Sequence, residues 1–277
     1  MPGIPPLPRG PPRCTRSPRG RSPGCSWHSL VRRRTDGRRS ITAPPPTDSE
    51  PAEPGSSFQQ CSFQSNGAAI CGPEPARGLA TRALAGGRSV QLLAHEDKAK
   101  ADALAAELGG QMTTGVVGDE VSGAIVIPAV YFDPAKDVVA KLGSALDGKV
   151  YVDITNPVDT STFEGLSVPE GSSAAEELQK TTGAKVVKAF NTTFAVTLAT
   201  GDVAGQQLDV LIAGDYEDAV RAVAEFASAG GLRPIVVGPQ RRARQLEQAG
   251  FLPILLSAND QLPEFQWNSA LKVVPAS

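Results

Sequence analysis

Residues 67–87 read G-A-A-I-C-G-P-E-P-A-R-G-L-A-T-R-A-L-A-G-G. An apolar run over 68–71 meets a glycine turn at Gly72. The turn leads into an alanine-rich segment whose Ala76, Leu79, Ala80, Ala83 and Leu84 share one helical face. Gly86-Gly87 predicts its end. Strand, glycine turn and helix in this order open a dinucleotide-binding unit. One glycine turns the chain, a second lets the backbone approach a diphosphate, and a third small residue packs the helix closely. Gly72, Ala76 and Gly78 are available for this, but Pro73 and Pro75 occupy the turn. Each proline lacks the N–H that such a loop presents, although Pro75 suits the first turn of a helix. Taken alone, the stretch leaves a nucleotide cradle and an ordinary strand–helix turn equally open.

The rhythm begun there continues to the end of the chain. Strands are predicted over 89–93, 124–130, 149–154, 185–189, 208–213 and 234–237. Helices are predicted over 97–108, 134–146, 172–180, 216–229 and 240–249, with Asp97 and Ser172 or Ser173 as caps. Strands alternating with helices of this length imply parallel pairing with crossover helices. Runs such as Ala124-Ile125-Val126-Ile127 are apolar without alternation, as a sheet covered on both faces requires. The expected fold is a doubly wound, Rossmann-like α/β sheet with a small carboxyl-terminal extension, over residues 67–277. In such sheets ligands sit outside the carboxyl ends of the strands, so residues just after strands carry the information.

Residues 1–66 read differently. Residues 1–54 hold 13 of the 24 prolines, and 1–40 hold ten arginines against one acid, Asp36. Such a segment cannot offset its ordering entropy, and disorder is expected. A transit peptide, a basic tail for acidic surfaces and a non-native extension are the readings. The abrupt change of composition near Ala68 favours the third. Residues 41–277 carry a net charge of −11, against −2 for the whole chain, which argues against nucleic acid as partner. No apolar run reaches the roughly 18 residues of a membrane span. The four cysteines and two histidines show no metal-ligand or C-x-x-C spacing, so a soluble, cytoplasmic, reducing-compartment protein is expected.

Three later stretches are more specific: Val152-Asp153-Ile154-Thr155-Asn156-Pro157-Val158, Val186-Val187-Lys188-Ala189-Phe190-Asn191-Thr192, and Gly230-Gly231-Leu232-Arg233-Pro234-Ile235-Val236-Val237-Gly238. Together with Ala76-Arg77-Gly78-Leu79-Ala80, they resemble the family of NADPH-dependent reductases of the deazaflavin coenzyme F-420, over roughly 76–277. The resemblance implies an NADP-binding Rossmann domain and direct hydride transfer between nicotinamide and deazaflavin. It places Gly72, Ala76 and Arg77 at the diphosphate, and His95 and Lys98 at the adenosine phosphate. Pro128, Ala129 and Val130 would flank the cofactor, and Asn156, Pro157, Phe190 and Asn191 would lie near the nicotinamide. The sequence departs from the family at Pro73-Glu74-Pro75, where a fuller glycine loop is usual.

Ordinary structural roles compete at these positions. Asn156-Pro157 also suits a tight turn, Asn191 a helix cap, and Phe190 a core site. Arg241, Arg242 and Arg244 suit either a solvated helix face or the attraction of an anionic co-substrate. The expected activity is an NADP-dependent oxidoreductase acting on a small-molecule co-substrate such as coenzyme F-420. The alternative is a non-catalytic nucleotide-binding or interaction protein with a degraded loop. A homodimer would cover the apolar segment 251–256.

Overall fold

The apolar runs become the inner strands of one eight-stranded sheet. The computed structural model describes residues 67–72 and 74–276, for Glu74 the backbone. The expected disordered extension over 1–66, and Pro73, lie outside the described residues. In chain order the first half comprises β1 (Ala68–Cys71), α1 (Glu74–Ala85), β2 (Val90–Ala94), α2 (Lys98–Leu108) and β3 (Met112–Val116). It continues with β4 (Ile125–Pro128), α3 (Phe132–Leu142), β5 (Val150–Asp153), α4 (Ala174–Gln179) and β6 (Lys185–Lys188). These six strands are mutually parallel in the order β3-β2-β1-β4-β5-β6. That is the Rossmann order, whose strand sequence reverses between β1 and β4.

Alternate side chains build two cores. Ile70, Leu92, Ile127 and Val152 face α1 and α6 (Glu217–Ala229). Ala69, Val126, Tyr151 and Val186 face α3 and α4. Each fully buried large aliphatic side chain contributes about 1.5–3 kcal/mol, so four-residue strands suffice when both faces are covered. The predicted caps are present: Asp97 accepts from Ala99 N at 3.1 Å, and Ser173 accepts from Glu176 N at 3.2 Å.

The second half adds α5 (Ala195–Thr200), the hairpin strands β7 (Asp202–Val203) and β8 (Gln206–Gln207), then β9 (Asp209–Gly214), α6, β10 (Arg233–Gly238) and α7 (Ala243–Ser257). Six residues make α5 only about 9 Å long, too short to carry the chain back to the start of β6. The chain therefore enters β9 from the carboxyl side, antiparallel to β6, with Lys188 opposite Ala213. β10 follows β9 in parallel. Because this pair is reversed, the helix after β10 climbs toward the carboxyl ends of β5 and β6 instead of away from them.

Several boundaries differ from the sequence expectations. Edge strand β3, with its M-T-T-G-V sequence, and the short α5 give no clear apolar period. The predicted 134–146 helix is α3 followed by a 3-10 turn over 143–146, where Gly143 takes a φ of 48°. The predicted 240–249 helix opens with a 3-10 turn over 240–242 and runs on to Ser257. Pro253 forfeits one backbone bond there, but Phe251 and Pro253 are buried against the rest of the chain. Among the described residues no helix is long and apolar enough to cross a membrane.

Candidate cofactor site

β1 ends in a forced turn. The ladder to β4 holds through Ala129 N, which donates to Cys71 O at 2.5 Å. Gly72 then takes a φ of 115°. A Cβ there would lie 2.2 Å from Ala129 O, so no other residue fits. The turn delivers the chain to α1, whose first-turn Ala76 is fully buried. The backbone N–H groups opening α1 have no helical partner and form the positive end of its dipole. Pro75 withdraws one of them.

Beside this turn, at the β1–β4 reversal, a cavity of about 630 Å³ opens between the ends of β1 and β2 and helices α2 and α3. Its lining includes Gly72, Arg77, His95, Asp97, Val130 and Val138. Apolar walls with a few polar groups suit an adenosine-sized ligand. Cys71 lies on its floor; burial pushes its thiol up to about 12, so it stays protonated and is no nucleophile. The Arg77 guanidinium, expected at the diphosphate, bonds Glu107 on α2. Lys98 bonds Asp102 and Thr114 and does not line the cavity. Pro128 and Ala129 are buried in and just after β4.

At the ends of β5 and β6 the remaining expected residues come together. Asn156 Nδ2 donates to Asn191 O at 2.7 Å, and Asn191 Nδ2 donates to Asn156 Oδ1 at 2.9 Å and to Leu246 O at 2.8 Å. Phe190 holds a φ of 62°, an unusual conformation for a bulky residue. Its ring meets Phe226 edge-on at 6.0 Å, within the core. Pro157 is buried, and its carbonyl accepts from Ser167 N at 2.6 Å. Two polar atoms at these strand ends, Thr155 Oγ1 and Asn191 Oδ1, are buried and have no partner among the described residues. A hydroxyl and an amide oxygen are the groups that the oxygen and the amine of a nicotinamide carboxamide would bond.

Below the asparagines lies a group that sequence reasoning missed. Lys188 Nζ donates to Asp153 Oδ2 at 2.8 Å, Glu247 Oε1 at 2.8 Å and Thr155 O at 2.5 Å. All three charged side chains are fully buried. Glu247 Oε2 accepts from Ala174 N at 3.1 Å, and Asp153 Oδ1 accepts from Thr155 N at 2.9 Å. The triad ties α7 to two strands and shapes the Thr155-Asn156 turn. Burial raises the Glu247 carboxyl above its ordinary value, with Lys188 pulling the other way. Charged residues closing V-Y-V-D and K-V-V-K were the available signal: a charge inside an apolar strand needs a partner. Glu247, 59 residues from Lys188, gave none.

Fold and site thus define a Rossmann-type dinucleotide-binding protein. Comparison with known proteins narrows the class. Residues 71–157 match the family model "NADP oxidoreductase coenzyme F420-dependent". It is 32% identical over 189 residues to Metalloreductase STEAP3 of Rattus norvegicus, covering 68% of this chain and 36% of the relative. The chain thus spans about a third of that relative's length. Hypothetical protein SMa0349 of Sinorhizobium meliloti superposes with a TM-score of 0.57 at 28% identity, over 63% of this chain and 85% of its own. A protein of Arthrobacter sp. fb24, provisionally named an F420-dependent NADP-reductase, gives a TM-score of 0.65 at 24% identity, over 75% and 99%. That last likeness shows the fold.

Proposed function

We propose that the chain is an NADP-dependent oxidoreductase that passes a hydride between NADPH and a deazaflavin such as coenzyme F-420, or a similar small-molecule acceptor in the cytoplasm. The observation that carries this reading is the pair of unpartnered buried oxygens, Thr155 Oγ1 and Asn191 Oδ1, at the strand ends. Bound NADPH would supply two electrons and a proton as hydride, the acceptor taking its second proton from water. The chain's own task is alignment. Gly72 and the α1 amino terminus would hold the diphosphate. The cavity beside His95 would hold the adenosine. Asn191 and Thr155 would fix the carboxamide, with Asn156 holding Asn191 in place through two hydrogen bonds. No acid–base pair is needed at the reacting carbons, and burial of the Asn191 end excludes water from them.

The test is a titration of NADPH and NADH followed by nicotinamide fluorescence, then addition of oxidised coenzyme F-420 with NADPH oxidation recorded. Saturable NADPH binding and F-420-dependent oxidation are expected. No saturable binding would overturn the cofactor assignment and favour a non-catalytic role. Binding with oxidation only by ferric complexes would move the acceptor toward the chemistry named by the rat metalloreductase relative.

A further inference from the structure

Lys98, the lysine that the sequence offers to the adenosine phosphate, is already engaged. Its Nζ donates to Asp102 Oδ1 at 2.6 Å and to Thr114 Oγ1 at 2.9 Å. Another lysine, also outside the cavity lining, meets a residue that is in it. Lys141, in the last turn of α3, brings its Nζ within 3.4 Å of His95 Nδ1. The two side chains arrive from opposite walls. His95 follows β2, while α3 lines the same cavity through Pro134, Asp137 and Val138. Among the described residues Lys141 makes no ion pair.

We propose that Lys141, together with His95, grips the 2′-phosphate of NADP and is the residue that makes the chain prefer NADPH to NADH. The proposal rests on the cofactor reading above. The charges around the cavity decide how much depends on this one lysine. Of the four carboxylates lining it, Glu107 is bonded to Arg77 and Asp97 caps α2. Asp97 keeps its charge as a cap, and Glu96, 4.0 Å from His95 Nε2, and Asp137 keep theirs. Against these three stand Lys100 in the lining and Lys141 beside His95. With Lys141 present two lysines face three carboxylates, and its ammonium sits beside the imidazole. Without it Lys100 faces the three carboxylates, and they repel a phosphate while tolerating or bonding a 2′-hydroxyl. Lysine suits this task as a flexible point charge that donates to phosphate oxygens. Its exposure leaves it free to swing onto the ligand.

The experiment titrates NADPH and NADH against the full-length wild-type chain, Lys141→Ala and Lys98→Ala. Lys141→Ala is expected to weaken NADPH binding about tenfold, the worth of a charge-assisted hydrogen bond, while NADH changes by less than about twofold. Lys141→Glu should reverse the preference. Equal losses for both dinucleotides in Lys141→Ala would overturn the assignment. So would a selective loss of NADPH in Lys98→Ala with none in Lys141→Ala. A wild-type chain that binds neither dinucleotide would overturn the cofactor reading and this assignment with it. A wild-type chain whose NADPH preference survives in Lys141→Ala would overturn the assignment alone.

Discussion

At the end of the cleft beside β2, the side chains of His95 and Glu96 are 61% and 83% exposed. At the end beside β5 and β6, Asp153, Lys188 and Glu247 are fully enclosed and cross-braced. The polar side chains at the first end meet solvent and lie outside the core. The second end is continuous with the core, so the geometry that would hold a carboxamide is the same geometry that holds α7 to the sheet. On the proposed reading, recognition of the adenosine phosphate would be adjustable by surface charge, whereas alignment for hydride transfer would be coupled to the stability of the fold.

The strongest way to break this contrast is Lys188→Met. It strands Asp153 and Glu247 without a cation, and about 3–5 kcal/mol of stability should be lost, read from denaturant midpoints at unchanged slope. A loss below about 1 kcal/mol would show that the enclosed end is not so coupled.

Gly250→Ala sharpens the same point. A Cβ there would lie 2.5 Å from Asn156 Oδ1 and 2.8 Å from Asn191 O. About 1–3 kcal/mol of overpacking is expected. Single-turnover hydride transfer should slow more than NADPH affinity falls, because the displaced groups are at the hydride end.

Glu247→Gln tests the electrostatics. The folded carboxyl titrates above its ordinary value near 4.5, mainly because it is buried. The folded state then holds its proton where the unfolded state has released it. This contribution is thus greatest below the ordinary value and is lost as pH rises through the raised one. Glutamine does not titrate. It leaves the Ala174 N–H facing an amide in one orientation or Lys188 in the other, at a cost of about 1–3 kcal/mol. Measured across pH, the stability gap between variant and wild type should narrow as pH rises from about 4.5, the unfolded value. A constant gap would mean that Glu247 does not titrate with a raised value.

At the open end, Pro73→Gly restores one N–H donor to the loop and should tighten NADPH by about threefold, the smallest effect. Unchanged affinity in the fluorescence titration would show that the loop lost nothing by its prolines.

Much of the architecture was legible because strand and helix periods are local. Four apolar residues over 68–71, or the face set by Ala76, Leu79, Ala80 and Ala83, suffice to name an element. Gly72 was legible as a turn, since its position between strand and helix left glycine few other reasons to be there. The reversal of β9 was not, because the length of α5 decides it and A-V-T-L-A-T carries no marked amphipathic stripe. The asparagines were found through family resemblance. Their mutual bond, their contact with Leu246 and the triad beneath them depend on α7 arriving from over 50 residues away. The side-chain partners of Lys98, which the resemblance puts near the phosphate, were hidden for a related reason: Asp102 and Thr114 bond it only in three dimensions.

Arg82 gives the molecule a further property. From the third turn of α1 its guanidinium donates to Ala199 O at 2.8 Å and to Gly230 O at 3.2 Å, the closing carbonyls of α5 and α6. One cation thus terminates two helices from the other half of the chain, each at its negative pole. A fragment trimmed to the family-matched stretch 71–157 would carry that cation with nothing to cap and the apolar flank of α1 uncovered. Domain shuffling that keeps the nucleotide half and replaces the rest must therefore supply two new helix ends at the same spot, which makes the two halves heritable as a unit.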